Sequence, residues 1–219
     1  MTNDPPLPPR TLTLRGLACR RGERTLFEGL DLLVGSGEIA ELRGPNGAGK
    51  TSLLLTIAGI LRPTAGAIRI DGGDPEAREA IDIGFLGHKS AIKPRLTVAE
   101  NLEFWAALNG RPKSGVGDVL ETVGLGAIPG LDAGYLSAGQ TRRLALARLI
   151  LLDRPVWLLD EPTAALDAQG ETLVAVLIDD HLDRGGLVIV ATHHDLNLKY
   201  PARSKALVLG QPNTVSSPA

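Results

Sequence analysis

The segment GPNGAGKT, which runs from Gly44 to Thr51, is the most informative part of this 219-residue chain for its fold. It fits the pattern G-x-x-x-x-G-K-[ST], and it lies between a strand pattern that starts at Glu38 and a helix pattern that follows Lys50. The glycines let the backbone curl so that successive N–H groups point inward, and the helix directs its positive end at the same anion. The stretch therefore predicts a nucleoside triphosphate site, with a chance glycine-rich turn as the alternative.

The side chains of this loop have separate predicted tasks. Lys50 is expected to reach the β- and γ-phosphates, and Thr51 is expected to offer its hydroxyl to Mg²⁺. The predicted nucleotide-binding residues are Gly44, Pro45, Asn46, Gly47, Ala48, Gly49, Lys50, Thr51 and Ser52.

Two acidic residues end a second apolar segment, VWLLDEP. Because neighbours in a strand point to opposite faces, Asp160 and Glu161 are expected to have different tasks. Asp160 is the candidate for holding Mg²⁺ opposite Thr51, and Glu161 is the candidate for orienting or deprotonating the attacking water. The alternative is a solvated acidic turn after a strand. Trp157, in the same segment, is interpreted as a core residue.

The segment LSAGQ predicts a second anion-binding helix start. Ser137 is a natural N-cap, and its hydroxyl together with the N–H of Gly139 would face an anion. Ser-x-Gly before a helix is weak alone, and it gains weight from the other motifs in the chain. The residues of this segment are Leu136, Ser137, Ala138, Gly139 and Gln140.

The order of the remaining patterns predicts an α/β fold. Strand patterns fill the first third, and continuous apolar strands alternate with helices in the last third, which is typical of a mainly parallel sheet covered on both faces. The middle has no strand signal, and a T-x-x-E capping box at Thr97 and Glu100 starts a helix there. We therefore expect a P-loop NTPase core with N-terminal antiparallel strands and an inserted helical subdomain. The expected boundaries are a flexible tail over 1–10, one domain over 11–210 with helices inserted over about 91–147, and a flexible tail over 211–219.

Composition excludes several classes of function. The formal net charge is −2 and no basic face is evident, which argues against nucleic acid as a partner. Cys19 is the only cysteine, so disulfides are excluded and a structural role is expected for it. No segment reaches the ~18 uninterrupted apolar residues of a membrane span, and the N-terminal segment has no apolar targeting core. Any membrane association is therefore expected to come through partners.

The ordered motifs GPNGAGKT, LSAGQ, LLDEP, AALD and ATHH resemble those of the ATP-binding-cassette ATPases, from about Leu12 to Leu209. The resemblance implies an ATPase in which two chains face each other head to tail, each ATP lying between the phosphate loop of one chain and the LSAGQ segment of the other. It implies a dimer contact at Asp167 and a switch histidine near the γ-phosphate at His193. His194 is the alternative, but the order of the motif favours His193.

The chain departs from that family in two places. Arg20 and Arg21 stand where an aromatic residue usually stacks on adenine, so stacking would fall to a guanidinium plane or be absent. His88 stands where a glutamine usually links Mg²⁺ and water to the membrane partner, and Lys89 follows it. The two residues are expected to form a coupling loop. The alternative is a solvent-facing strand end.

Three longer segments narrow the resemblance. ERTLFEGL, GHKSAIKPRLTVAENLEFW and LSAGQTRRLALARL resemble the ATPase of the bacterial haem exporters used in cytochrome c biogenesis. This implies membrane-spanning partners from that system, a peripheral location on the cytoplasmic face of the inner membrane, and ATP hydrolysis tied to haem delivery or to release of a haem-loaded chaperone. The alternatives are the ATPase of another small exporter for drugs or lipids, a soluble nucleotide switch, and a P-loop kinase, which would not need LSAGQ.

Overall fold

The computed structural model describes residues 5–72 and 82–210. In these ranges the strands are β1 (Thr11–Arg21), β2 (Arg24–Gly35), β3 (Ile39–Arg43), β4 (Ala65–Asp71), β5 (Ile83–Leu86), β6 (Val156–Asp160), β7 (Leu187–Ala191) and β8 (Ser204–Val208). The helices are α1 (Lys50–Ile57), α2 (Val98–Leu108), α3 (Val116–Thr122), α4 (Ala138–Leu152) and α5 (Ala168–Asp183).

Five strands form a parallel sheet in the order β5-β6-β7-β3-β8. Strands β6 and β7 are buried along their whole length because each face of the sheet is covered by its own core. Along β6, Val156 and Leu158 pack into one core cluster, whereas Trp157 and Leu159 pack into the other. The predicted parallel sheet is confirmed, and Trp157 is a core residue as expected. The nucleotide loop leaves the carboxyl end of β3 and leads directly into α1.

The N-terminal strands form a separate antiparallel sheet in the order β2-β1-β4. β1 and β2 are joined by a tight turn, because Arg21 pairs with Arg24 across it. The inner face of this sheet packs over α1, since Leu14 and Leu30 share a core cluster with Leu53. Cys19 is buried in that same cluster, which agrees with a structural role. The expected antiparallel N-terminal strands are confirmed.

The middle of the chain is helical between β5 and β6, as expected. The capping box of α2 is complete, because the Glu100 N–H donates to Thr97 Oγ1 at 3.2 Å and the Thr97 N–H donates to Glu100 Oε2 at 2.8 Å. The expected subdomain end at residue 147 falls inside α4, which continues unbroken to Leu152 and contacts α2, α3 and β5. Helix α4 therefore belongs to both parts of the domain, because it packs against α2 and α3 and also covers the sheet at β5.

The N-terminal expectation of a flexible tail over 1–10 is wrong for residues 5–10. Leu7 is buried, and its N–H donates to Arg184 O at 2.7 Å. Arg10 is also buried, and its guanidinium forms an ion pair of 3.1 Å with Asp82. Residues 5–10 are therefore held against the domain by the buried Leu7 and by the ion pair of Arg10. Residues 1–4 and the tail expected over 211–219 lie outside the described residues. Within the described residues, no helix is both long and apolar enough to span a bilayer.

His181 of α5 is buried and stacks on the Trp157 indole, with ring centroids 3.9 Å apart. Burial lowers the pKa of His181 to about 3. Its Nε2 has no hydrogen-bond partner among the described residues, so a proton placed there would be buried and unsatisfied. The folded protein therefore keeps this imidazole neutral.

We expect His181 to make folding sensitive to acid. The unfolded chain protonates this residue below about pH 6.5, whereas the folded chain does not until about pH 3. Its contribution to stability is thus full above pH 6.5 and falls as the pH decreases. The loss between pH 7 and pH 5 is about 2 kcal/mol by linkage. Urea unfolding of the wild type and of His181→Phe at both pH values measures it, and the variant should lose less by this amount. Parallel pH profiles would contradict the prediction.

Candidate active site

A cavity of about 390 Å³ opens at the carboxyl ends of β3 and β6. Open parallel sheets place ligands at this edge because the loops that follow the strands converge there. The residues that line the cavity are Arg21, Arg24, Leu26, Asn46, Gly47, Gly49, Lys50, Thr51, Ser52, His88, Asp160, Glu161 and His193.

The nucleotide loop curls in a way that depends on glycine. Gly44 has φ +140° and Gly49 has φ +103°. A Cβ atom on Gly44 would lie 2.5 Å from Leu209 O, so only glycine fits there. Lys50, the first residue of α1, is buried, and its Nζ donates to Gly44 O at 2.7 Å and to Pro45 O at 3.3 Å. The ammonium group is therefore held against the loop, at the start of a helix whose positive end faces the cavity.

Thr51 and Asp160 meet across 109 positions of sequence. Thr51 Oγ1 donates to Asp160 Oδ2 at 2.9 Å, and Asp160 is buried at the end of β6. A hydroxyl and a carboxylate side by side suit Mg²⁺, which prefers oxygen ligands and keeps several from water or phosphate. Within 5–72 and 82–210, no group of three or more His, Cys, Asp or Glu side chains is arranged to hold a metal alone. The oxygens of Thr51 and Asp160 suit a cation whose other ligands come from phosphate and water.

Glu161 lies beside Asp160 in the same cavity, and strand alternation does not separate the two residues. The strand ends at Asp160, and Glu161 has a left-handed backbone with φ +48°. Its N–H donates to Ala191 O at 2.8 Å, and its side chain is 27% exposed. The two carboxylates differ because one is buried against Thr51 and the other turns toward solvent. The two acids therefore lie in different surroundings, although not for the reason that strand alternation predicted.

His193 stands between the lysine and the second acid. Its Nε2 lies 3.2 Å from Lys50 Nζ and 3.6 Å from Glu161 Oε1. The shorter contact requires the Nε2 lone pair to accept from the ammonium group. His194 is not among the residues that line the cavity, and its backbone N–H donates to Thr192 Oγ1 at 3.0 Å. The geometry therefore favours His193 over His194 as the site histidine.

The LSAGQ segment starts α4 but does not line the cavity of its own chain. Ser137 Oγ accepts from the Gln140 N–H at 3.2 Å, and Gln140 Oε1 accepts from the Ser137 N–H at 2.9 Å. The predicted N-cap is confirmed as a full capping box. Ser137 is exposed, so this helix start is available to an anion from outside the chain.

Asp167, the expected dimer contact, caps α5 at the protein surface. Its Oδ1 accepts from the Gly170 N–H at 2.8 Å and lies 3.3 Å from Arg143 Nη2. The Gly170 hydrogen bond, aided by Arg143, lowers the pKa of this carboxyl. A capped and ionised Asp167 holds the end of the loop that follows Glu161 in place.

His88 and Lys89 separate in the structure. His88 is exposed at the end of β5 and lines the cavity together with the two acids. Lys89 is exposed and is not among the lining residues. The segment is therefore both a strand end and part of the cavity wall.

Arg24 lines the cavity, and sequence reasoning missed it. Its Nη2 donates to Gly47 O at 3.2 Å, and it pairs across β1 and β2 with Arg21, which also lines the cavity. Arg20, the other arginine expected near the base, is not among the lining residues. The signal was present in the sequence, since a two-residue turn after Arg21 places Arg24 directly opposite it.

Arg142 is the second residue that sequence reasoning missed. It lies on α4, is only 5% exposed, and donates to the carbonyl groups that surround Asp160 and Glu161. Burial lowers the pKa of its guanidinium group, and the charges of Asp160 and Glu161 oppose that shift. The local sequence does not indicate that Arg142 is buried, because an arginine two residues after LSAGQ fits an exposed helix turn equally well.

Comparisons with known proteins show which proteins the chain resembles. A model of the ABC transporter family matches residues 27–164. The chain is 50% identical over 187 residues to the cytochrome c biogenesis ATP-binding export protein CcmA of Nitrobacter winogradskyi, which covers 85% of this chain and 94% of that protein. It is 51% identical over 187 residues to the protein of the same name from Bradyrhizobium diazoefficiens, with 85% and 94% covered.

A solved structure extends the likeness to three dimensions. The ATP-binding cassette MJ0796, in a dimeric post-hydrolysis state bound to ADP and Pi, superimposes with a TM-score of 0.76 at 26% identity, covering 90% of this chain and 94% of that chain.

Proposed function

The chain belongs to the ABC transporter family, and within it to the ATP-binding export proteins of cytochrome c biogenesis; from this premise we propose how its residues hydrolyse ATP and drive a membrane partner. One observation carries the proposal: the nucleotide loop, both acids and His193, from three separate segments, line one cavity. The chain is an ATPase, and the roles assigned below are those that its geometry supports.

The phosphates of ATP fit the nucleotide loop. Lys50 has its ammonium group at the loop, where it can exchange the carbonyl oxygens of Gly44 and Pro45 for phosphate oxygens. The start of α1 adds the positive end of a helix. Binding at this end of the site therefore depends on the negative charge of the phosphates and not on the identity of the base.

Thr51 and Asp160 are the residues that would hold Mg²⁺. Their oxygens already lie 2.9 Å apart. When bound with ATP, the ion would neutralise negative charge on the β- and γ-phosphates. Asp160 keeps its position because it ends a buried strand and receives the Thr51 hydroxyl.

Glu161 is the group placed to act on water. Its carboxylate borders both the cavity and solvent, which suits a group that orients or deprotonates an attacking water. His193, between Lys50 and Glu161, is placed to contact the γ-phosphate and to report its presence. The two residues divide water activation and phosphate sensing.

The base end of the cavity is cationic. Among the described residues, its lining includes Arg21 and Arg24 but no Phe, Tyr or Trp side chain. Two guanidinium groups directly opposite each other on a hairpin repel, and an anionic or π-rich ligand between them relieves that repulsion. We therefore assign base contact to these arginines, with modest selectivity for adenine.

The second half of the ATP site comes from another copy of the chain. Ser137 and its helix start are exposed and lie outside their own cavity. A head-to-tail homodimer would place this start on the γ-phosphate held by the partner, with Asp167 at the contact. Hydrolysis then needs both chains.

The partner in the membrane is a spanning subunit of the cytochrome c biogenesis system, at the cytoplasmic face of the bacterial inner membrane. His88 and Lys89, one facing the nucleotide and the other facing solvent, are placed to couple ATP to that subunit. The cargo of the system is haem, delivered directly or through release of a haem-loaded chaperone. The identity of 50% to CcmA of Nitrobacter winogradskyi favours this system over a drug or lipid exporter.

Deleting the gene tests this function. We expect c-type cytochromes without covalently attached haem, seen as missing bands on haem-stained gels. A plasmid with the wild-type gene should restore them, and one with Lys50→Ala should not, because the loop loses its phosphate contact at equal protein level. Normal cytochromes in the deletion strain would exclude a role in the haem system. They would not contradict the assignment of this protein as an ATPase.

A further inference from the structure

Arg142 gathers carbonyl groups from two segments that border the ATP site. Its Nε donates to Pro162 O at 3.1 Å, and its Nη2 donates to Asp160 O at 2.6 Å and to Glu161 O at 2.5 Å. Its Nη1 donates to Gly87 O at 2.9 Å. One planar side chain thus binds the backbone of both acids and the residue before His88.

This arrangement is specific to arginine. A buried cation is costly unless its donors are satisfied, and no carboxylate oxygen accepts a hydrogen bond from Arg142 among the described residues. Four carbonyl dipoles satisfy it instead. A lysine has one point donor group in place of the fork, so it cannot reach both segments at once.

Glu161 needs such support because its backbone is strained. A left-handed conformation is unfavourable for a residue with a side chain, and it persists only where the surroundings impose it. The N–H of Glu161 is held by Ala191 O, and its carbonyl is held by Arg142. The two contacts fix the peptide groups on both sides of the Glu161 side chain.

Arg142 also lies on the helix that starts at Ser137. The two residues are five positions apart, or about 7.5 Å along the axis of α4. A shift of that helix start would therefore move the guanidinium group that holds Glu161 and the His88 segment.

We propose that Arg142 is a positioning residue that aims the Glu161 carboxylate and ties it, with the His88 segment, to the helix start at Ser137. This inference rests on the proposed role of Glu161 in hydrolysis. It adds a structural connection between two residues of one chain: Ser137, which would face the ATP bound by the partner, and Glu161, which would act on the ATP bound by its own chain.

The test compares Arg142→Lys with Arg148→Lys in the complete transporter complex. Arg148 is a matched control, because it lies on α4, is 6% exposed, and binds carbonyls of Phe85 and Ser90 without touching the acids. We expect kcat to fall by on the order of tenfold to a hundredfold for Arg142→Lys, because the acid is displaced, while the Kd for ATP stays within about threefold. Arg148→Lys should lower Tm similarly but change kcat far less.

A double-mutant cycle separates positioning from general damage. In a Glu161→Gln background, Arg142→Lys should change the residual single-turnover rate by less than about twofold, because its effect acts through Glu161. The proposal would be overturned if the rate losses of Arg142→Lys and Glu161→Gln multiplied in the double variant. It would also be overturned if Arg142→Lys had the same kcat as Arg148→Lys. If Arg142→Lys does not fold, Arg142→Gln, which keeps two amide donors without the buried charge, takes its place with the same criteria. Full activity of Glu161→Gln itself would instead overturn the proposed function.

Discussion

Replacing Glu161 with Gln is expected to leave ATP bound and to reduce its hydrolysis by on the order of 10²- to 10⁴-fold. The amide has nearly the shape of the carboxylate, so the backbone contacts of residue 161 to Ala191 and Arg142 persist. It cannot take a proton from water, and phosphate binding depends on the separate groups of Lys50 and Thr51. Binding and turnover should therefore separate in this variant.

Two measurements on the purified complex check this expectation. Equilibrium binding of a fluorescent ATP analogue should give a Kd within about threefold of the wild type, and phosphate release should fall close to background. Glu121→Gln is the matched control, since Glu121 is exposed on α3 and does not line the cavity. Phosphate release by Glu161→Gln at the wild-type rate would exclude Glu161 as the group that acts on water.

Replacing Ser137 with Asp should stop hydrolysis without weakening the fold. Asp and Ser are equivalent N-caps, so the capping box with Gln140 and the start of α4 should remain. The added negative charge would face the partner's γ-phosphate and repel it. We expect a loss of on the order of 10²-fold in kcat. Nucleotide binding to the isolated chain should be unchanged, because Ser137 lies outside its own cavity.

Ser137→Asn is the matched control, because it caps the helix equally well without the charge. It should keep much more activity than Ser137→Asp, with the same Tm. Equal losses in both variants would mean that the charge does not face phosphate.

Mixing the two inactive variants locates the second half of the site. In a head-to-tail dimer of one Glu161→Gln chain and one Ser137→Asp chain, one site carries both defects and the other carries neither. An equimolar mixture should therefore recover up to about a quarter of wild-type activity, since half the dimers are mixed and each has one intact site. No recovery would show that Ser137 serves its own chain.

The nucleotide loop could be located from sequence alone because its function depends on neighbours in the chain. Gly44, Lys50 and Thr51 act through a local curl and the helix that follows, and both are encoded within a few positions. The same holds for the capping box at Thr97, for the N-cap at Ser137 and for the apolar strand segments of the parallel sheet. These features give the fold and the chemistry at the phosphate end.

Other features depended on contacts between distant segments. The flexible tail expected over 1–10 was wrong for residues 5–10 because Leu7 and Arg10 find their partners at Arg184 and Asp82. The end of the helical insertion was misplaced because α4 covers the sheet as well as the helices. Periodicity reports which face of an element is apolar, but not how many neighbours share that face.

From the amino-acid sequence one can predict that this chain folds around a nucleotide loop and carries two acids at a strand end. The difference between those acids is visible only in the folded chain: Asp160 ends the strand against Thr51, and Glu161 leaves it in a left-handed turn. Only the tertiary structure brought Arg142 to Gly87, 55 positions away, and His88 into the cavity. A sequence motif specifies only local backbone geometry. The orientation of a catalytic side chain depends on groups from distant segments that packing brings together.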